Sequence, residues 1–187
     1  MTTLFIYTVF ISLFIGSLWQ PILGILGYLS VYILYNPNMW WGATFQQYLP
    51  RPSVVAVCFL IIGMFLNTSK LNWSISRREV ELYAFLGLVW TTSFFFGVGI
   101  EDNNWQYLIK FTKIFIFIFI LIRIVTSLNH YKLVVWTLIL AGIFLAYQAH
   151  VLSSSSFTEG RLDALGGSDF CEANGFAAFM AAAMTFL

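Results

Sequence analysis

The strongest constraint on this chain is a series of long apolar segments that carry almost no charge. Hydrophobic residues make up 60% of its 187 residues and charged residues only 9%, whereas about a quarter of a soluble domain is charged. A water-soluble globule of this size could not hide so much apolar surface in its own core. We therefore predict an all-α, polytopic helical membrane protein with six complete transmembrane helices and a truncated seventh, at residues 4–19, 22–35, 53–66, 80–98, 106–126, 133–151 and 175–187.

Four of these segments are short or closely spaced for membrane helices. Only Gln20 and Pro21 separate the first two, which predicts a tight helical hairpin, with a single kinked helix as the alternative. Segment 53–66 is short for a membrane crossing. The last segment, 175–187, would be about 20 Å long as a helix against a hydrocarbon layer near 30 Å. We therefore expect the sequence to be a fragment that stops within a helix.

The basic residues between the segments predict an orientation by the positive-inside tendency. One side of the membrane would carry five and the other side four. The larger set, placed in the cytoplasm, is Lys70, Arg77, Arg78, Arg123 and Lys132, and the smaller set is Arg51, Lys110, Lys113 and Arg161. The loops at 36–52, 97–105 and 152–174 would then face outward.

Composition excludes several classes of function. No cluster of Lys and Arg with interleaved aromatic residues is present to follow a phosphate backbone, so we predict no nucleic-acid partner. Cys58 lies in an apolar run and Cys171 in a polar loop, which provides neither a disulfide framework nor a zinc site. We predict no metal and no cofactor.

The densest polar stretch is 159–174, which leads directly into the last apolar segment. Arg161 has a guanidinium that suits phosphate oxygens, and Gly166 and Gly167 allow a ligand to approach the backbone closely. Asn174 is predicted to cap the helix that follows, whose amino end would attract an anion. The alternative is that Arg161 pairs with an acidic neighbour and only keeps the loop folded.

The order of these residues resembles a known family. Gly160-Arg161-Leu162, then Gly166-Gly167-Ser168, then Glu172-Ala173-Asn174-Gly175-Phe176-Ala177 resembles the start of the core domain of O-antigen ligases and related polymerases. Tyr35-Asn36-Pro37-Asn38, with Trp40, Trp41 and Gly42 after it, is similar to the exosortase-associated branch of O-glycosylation ligases. Cys171-Glu172-Ala173 departs from the pattern of many members and leaves the roles of Asp169 and Glu172 open.

This resemblance implies a GT-C-like glycosyltransferase of the bacterial cytoplasmic (inner) membrane. Such an enzyme transfers a glycan from an undecaprenyl diphosphate carrier to a lipid or protein acceptor on the outer face, without metal or cofactor. It implies that Arg161 is catalytic and contacts the diphosphate, and that Gly166, Gly167 and Asn174 complete the site. Lys110 and Lys113, three apart on one helix face, could assist, but snorkelling of both to lipid headgroups is the favoured alternative. Residues 1–152 would form the amino-terminal transmembrane helices, and 153–187 the outward loop and the start of the core domain.

Two other functions stay open at the level of sequence. A polymerase that extends a lipid-linked glycan would differ too little in this region to be distinguished. A membrane carrier or channel would need charges in mid-membrane, and the centres of the apolar segments contain none. We expect the 187 residues alone to be inactive, because the family's acceptor-activating loop would lie further along the chain.

Overall fold

The computed structural model describes residues 2–35, 51–96, 102–151, 157–158, 161–162 and 173–185. This part of the chain is helical, as predicted, except for a 3-10 turn at Thr68–Lys70 and one antiparallel pair of two-residue strands, β1 (Phe157–Thr158) and β2 (Arg161–Leu162). The helices are α1 (Thr2–Gly16), α2 (Pro21–Leu34), α3 (Pro52–Leu66), α4 (Arg77–Phe96), α5 (Asp102–Ile124), α6 (Leu128–Val151) and α7 (Ala173–Met184).

The chain forms two compact units. The first consists of Met1–Ser69 together with Ser127–Leu187, and the second is the inserted segment Lys70–Thr126. The first unit therefore holds α1, α2, α3, α6 and α7, and the second holds α4 and α5. The predicted boundary between residues 152 and 153 lies outside the described residues.

Helix α2 is at the centre of the first unit and contacts α1, α3 and α6. Its buried side chains include Ile25 and Val31, and Val31 joins Phe10, Phe14 and Ala56 in the core cluster between α1, α2 and α3. The helices α1 and α2 pack as a hairpin, which confirms that prediction over the single kinked helix. Pro21 is the first residue of α2, where its fixed φ suits a helix and its missing N–H is not needed.

The end of α1 and the end of α3 meet at a close contact that we call the α1–α3 junction: Ser17, Gly63 and Asn67. A β-carbon at Gly63 would overlap the carbonyl oxygen of Ser17. The Ser17 hydroxyl donates to the carbonyl of Phe59 over 3.1 Å, and the side-chain amide of Asn67 donates to the carbonyl of Leu18 over 2.7 Å. Small residues and neutral hydrogen bonds thus allow the two backbones to approach closely, a packing mode typical of membrane helices.

The second unit is a hairpin of α4 and α5 joined largely through aromatic rings. The Tyr83 ring lies 6.2 Å from that of Phe119, measured between centroids. At the other end of the hairpin the rings of Trp90 and Trp105 meet edge to face at 5.6 Å, and the Trp90 indole donates to the Thr112 hydroxyl over 2.9 Å. Edge-to-face ring contacts of this kind stabilise packing beyond the area that they bury.

Among the described helices, α6 alone combines the length and the apolar composition of a membrane span. The apolar helices Ile6–Gly16, Pro21–Leu34 and Pro52–Leu66 are shorter than the roughly 20 residues that cross a hydrocarbon layer. The sequence predicts six complete spans, and the described structure supports one. A single helix of this kind also occurs in soluble proteins, so the membrane setting is taken up as a proposal below.

Candidate functional site

Most of the site predicted at 159–174 lies outside the described residues, including Gly166 and Gly167. The backbone of Arg161 is described: it belongs to β2 and pairs with Thr158 of β1 across the short antiparallel ladder. The position of its side chain is not among the described features. Neither its predicted contact with phosphate nor its alternative pairing with an acidic neighbour is therefore tested.

Helix α7 begins two residues earlier than the capping prediction requires. Its first residue is Ala173, so Asn174 lies inside the first turn and not at the N-cap position. The backbone N–H groups of a first helical turn have no partner within the helix. The amino end of α7 therefore has the backbone donors that the anion prediction needs, and the backbone N–H of Asn174 is one of them.

The two lysines of the predicted site lie on α5, and both are exposed. Because α5 begins at Asp102, four residues before the predicted start, Lys113 is the middle residue of this 23-residue helix. The prediction had placed Lys110 and Lys113 near one end of a segment with an uncharged centre. The structure corrects that placement for Lys113.

The described residues contain a polar cluster that the sequence analysis did not predict. Its centre is Arg123, whose side chain is only 1% exposed. One guanidinium nitrogen donates to the carboxylate of Glu79, and the other donates to the carbonyls of Asn72 (3.1 Å) and Ser74 (2.6 Å). The guanidinium carbon lies 4.8 Å from the centre of the Phe119 ring. We call these five residues the Arg123 cluster.

The start of α4 explains why Glu79 is available to Arg123. Ser76 and Glu79 form a capping box, in which the Ser76 hydroxyl accepts from the Glu79 amide over 3.3 Å and the Glu79 Oε1 accepts from the Ser76 amide over 3.5 Å. A Ser followed three residues later by Glu is the sequence signature of this motif. The second carboxylate oxygen, Oε2, remains free to accept from Arg123.

The cluster also binds the chain segments at which the second unit begins and ends. The amide of Asn72 donates to the carbonyl of Arg123 over 3.0 Å, while the Arg123 side chain donates back to the Asn72 carbonyl. Asn72 follows the first residue of the unit by two positions, and Arg123 precedes its last residue by three. One arginine therefore joins the two ends of the second unit to each other.

This arrangement weakens the orientation argument. Arg123 is one of the five basic residues assigned to the cytoplasmic side, but it is buried and its charge is balanced by Glu79. Without it, four basic residues remain on each side. The basic residues no longer favour either orientation, and the outward position of Arg161 depends on the family resemblance alone.

The chemistry available to the Arg123 cluster is limited. The Arg123 guanidinium already donates to three acceptors, and the Glu79 carboxylate is engaged by the cap and by the guanidinium. The cluster is thus suited to holding α4 and α5 together and not to proton transfer. Within the part of the chain that the structure describes, no three His, Cys, Asp or Glu residues are grouped to hold a metal ion.

Comparison with known proteins adds no relative. No family model matches the chain, and no curated protein and no solved structure matches it either. The resemblance to O-antigen ligases therefore depends on two sequence motifs alone. One contains Arg161, Gly166, Gly167 and Asn174, and the other is Tyr35-Asn36-Pro37-Asn38 with Trp40, Trp41 and Gly42.

Proposed function

We propose that the chain is part of a polytopic glycosyltransferase of the bacterial cytoplasmic membrane, of the O-antigen ligase type. It transfers a glycan from an undecaprenyl diphosphate carrier to a lipid or protein acceptor on the outer face of the membrane. The proposal depends mainly on one observation, which is that two motif residues follow each other in neighbouring elements of the described structure. Arg161 lies in a short strand pair, and Asn174 lies in the first turn of the helix that follows.

The surface of α6 supports the membrane setting. Five large apolar residues at intervals of three or four positions are exposed along one side of this helix: Trp136, Leu140, Ile143, Tyr147 and Val151. Of its most apolar 18 residues, 28% are buried, whereas the core helix of a soluble protein is mostly buried. Hydrocarbon is the solvent in which such a surface is stable.

The second unit supports the same setting independently. Helix α4 exposes Val80, Phe85, Leu88, Phe94 and Phe95. At 20 and 23 residues, α4 and α5 are about 30 Å and 35 Å long, so their length suits a hydrocarbon layer, although among the described helices only α6 is also apolar enough for a span. The polar first turn of α4 and its Arg123 partner would lie at one interface.

The proposed chemistry depends on charge that builds up as the glycan leaves its carrier. Departure of the lipid diphosphate from the anomeric carbon places negative charge on the leaving oxygens, and fixed donors stabilise that charge in a site of low dielectric. Arg161 would bind these oxygens in bidentate fashion, with Gly166 and Gly167 allowing close approach. The amino end of α7, which contains Asn174, would supply backbone donors.

An Arg161→Ala change in the native protein tests this role, with transfer of the surface glycan measured in cells and in isolated membranes. Loss of one preorganised donor typically lowers the rate by about 100-fold or more. Arg161→Lys keeps the charge but not the bidentate geometry, so we expect an intermediate loss. Arg77→Ala is the matched control, because Arg77 is an exposed arginine paired only with Glu81 on the surface of α4.

Three results would contradict the proposal in different ways. Full transfer by Arg161→Ala would remove the mechanism. Reaction of a cysteine at position 161 only with reagents on the cytoplasmic side would remove the topology. A shorter lipid-linked glycan with unchanged transfer to the acceptor would assign the protein to the polymerases instead.

A further inference from the structure

The segment that leads into α4 exposes two large apolar side chains next to a basic helix start. Trp73 is 55% exposed and Ile75 is 66% exposed. Arg78, the second residue of α4, is exposed as well, and Lys70 adds a further exposed positive charge at the start of the unit. Amphipathic rings beside basic side chains are typical of the layer where a membrane meets water.

The Arg123 cluster holds the backbone of this segment in place. Arg123 donates to the carbonyls of Asn72 and Ser74, which precede Trp73 and Ile75 along the chain. The Asn72 side chain accepts from the Ser74 amide over 3.0 Å and from the Ser74 hydroxyl over 2.6 Å. These polar groups are therefore satisfied inside the protein, which lowers the cost of placing the segment in a layer with little water. The two apolar side chains need no further ordering of this backbone before they bind a partner.

Arg78 is a positive charge that the described part of the chain does not balance. The two acids near it are both engaged. Glu79 is paired with Arg123, and Glu81 is paired with Arg77 over 3.1 Å. Arg78 itself forms no ion pair within the described residues. Positive charge is also unfavourable at the amino end of a helix, where the dipole attracts anions. Helix stability therefore does not account for Arg78, whereas an anion from outside the chain does.

The surface of an anionic lipid bilayer offers what both the basic and the apolar residues need. A soluble phosphate would balance the arginine but leave Trp73 and Ile75 in water. In a bilayer the phosphates lie directly above the acyl chains, so a basic and an apolar side chain of one short segment reach both. The next turns of α4 expose Val80, Phe85 and Leu88, which continues the apolar surface as a helix entering hydrocarbon requires.

We propose that Trp73, Ile75 and Arg78 form a binding site for anionic phospholipid at the bilayer surface, which we call the surface anchor. The Trp73 ring and the Ile75 side chain enter the boundary of the acyl chains, and the Arg78 guanidinium binds a headgroup phosphate. The surface anchor goes beyond the proposed function, because it assigns a bulk lipid to the second unit. It rests on the membrane setting of that function but requires neither the glycan carrier nor Arg161.

The test is quenching of Trp73 fluorescence by brominated phospholipid, with the full protein in lipid nanodiscs. Each protein is measured with and without Trp73→Phe, so that the difference reports this residue among the seven tryptophans. Exchange of phosphatidylcholine for phosphatidylglycerol, with one of the two brominated, gives the relative binding constant of the anionic lipid. We expect phosphatidylglycerol to be preferred, and Arg78→Gln should lower the preference about fivefold, as for loss of one basic residue near an anionic surface. Arg78→Lys should retain most of it.

Two further variants provide a control and a test of the Arg123 cluster. Arg51→Gln removes an exposed arginine of the first unit and should leave the Trp73 signal unchanged. Glu79→Leu combined with Arg123→Met removes the donors that hold the segment, so quenching of Trp73 by both lipids should fall. Because Arg78 is exposed and lies outside the cluster, Arg78→Gln should keep the melting temperature of the parent protein. Its result therefore does not depend on the stability of the double variant.

Each outcome decides the proposal. A fall in preference that is specific to Arg78 supports it, and so does lower Trp73 quenching in the double variant. An unchanged preference in Arg78→Gln overturns it, as does the absence of Trp73 quenching by either lipid. Inorganic phosphate that abolishes the preference, where sodium chloride of equal ionic strength does not, would assign Arg78 to a soluble anion and overturn the lipid site. Unchanged Trp73 quenching in the double variant would overturn the part given to the Arg123 cluster. Full glycan transfer by Arg161→Ala with an intact Arg78 effect would count against the proposed function alone.

Discussion

Each of the two units is stabilised internally by a different kind of contact. At the α1–α3 junction of the first unit, neutral donors meet backbone carbonyls, and a glycine allows the helices to touch. In the second unit the corresponding contact is a full ion pair, Arg123 with Glu79, which is almost entirely removed from solvent. Both contacts join elements that are distant in sequence, but only the second depends on compensated charge.

The difference predicts how each unit fails. A neutral hydrogen bond contributes about 0.5–1.5 kcal/mol, and its loss leaves a carbonyl that can relax toward another donor. Removing one member of a buried ion pair leaves the other charge without compensation and costs about 3–5 kcal/mol. The second unit should therefore be sensitive to single substitutions of charged residues, and the first unit mainly to changes in residue size.

The largest effect is expected for Glu79→Ala. This change leaves the Arg123 guanidinium buried without its anion and also removes half of the capping box at the start of α4, so the second unit should lose about 3–5 kcal/mol of stability. Hydrogen exchange of the α4 and α5 amides, followed by mass spectrometry in detergent, measures the loss. Glu81→Ala is the control, because Glu81 forms only an exposed pair with Arg77 and should change little.

A double replacement sharpens the same prediction. Glu79→Leu combined with Arg123→Met removes both charges and retains side-chain volume, and such replacements of buried pairs are often neutral or stabilising. We expect exchange in α4 and α5 to return most of the way to that of the parent. A double variant as unstable as Glu79→Ala would mean that the hydrogen bonds of Arg123 to Asn72 and Ser74, and not the charge pair, hold the hairpin.

An intermediate effect is expected for Gly63→Ala in the first unit. The added β-carbon would overlap the Ser17 carbonyl, which is backbone and cannot move aside as a side chain can, and overpacking of this kind costs about 2 kcal/mol. Gly87→Ala is the matched control, since a β-carbon there meets nothing within 4 Å. It should be neutral or stabilise α4 by up to about 1 kcal/mol. Equal melting temperatures for the two variants would contradict the close approach at the junction.

The smallest effect is expected for Asn67→Ala. It removes the hydrogen bond to the Leu18 carbonyl and should destabilise the first unit by about 1 kcal/mol, visible as faster exchange at the carboxyl end of α3. Exchange in α4 and α5 should not change. A loss as large as that of Glu79→Ala would remove the contrast between the two units.

The positions of the helices follow closely from the sequence, but their polar ends do not. Apolar runs located all seven of the helices that the structure describes, and Pro21 and Pro52 marked two starts to within a residue because proline suits a first helical turn. The predicted starts of α4, α5 and α6 were three to five residues late, since each helix has a polar first turn that an apolar run does not show. The Ser76–Glu79 capping box was a readable signal for the start of α4. Ser127 was a readable signal for the start of α6, because its hydroxyl accepts from the His130 amide over 3.2 Å as an N-cap does.

The sequence by itself determined that this chain is helical and apolar, because both properties follow from the type and spacing of residues along short stretches. Only the tertiary structure decided which charges are compensated. Arg123 and Glu79 are 44 positions apart. The capping box places Glu79 at the start of α4, but nothing local predicts its pairing with Arg123, whereas the pair of Arg77 and Glu81 remains on the surface. Helix packing buries one of these pairs, and it leaves Lys113, the middle residue of α5, exposed.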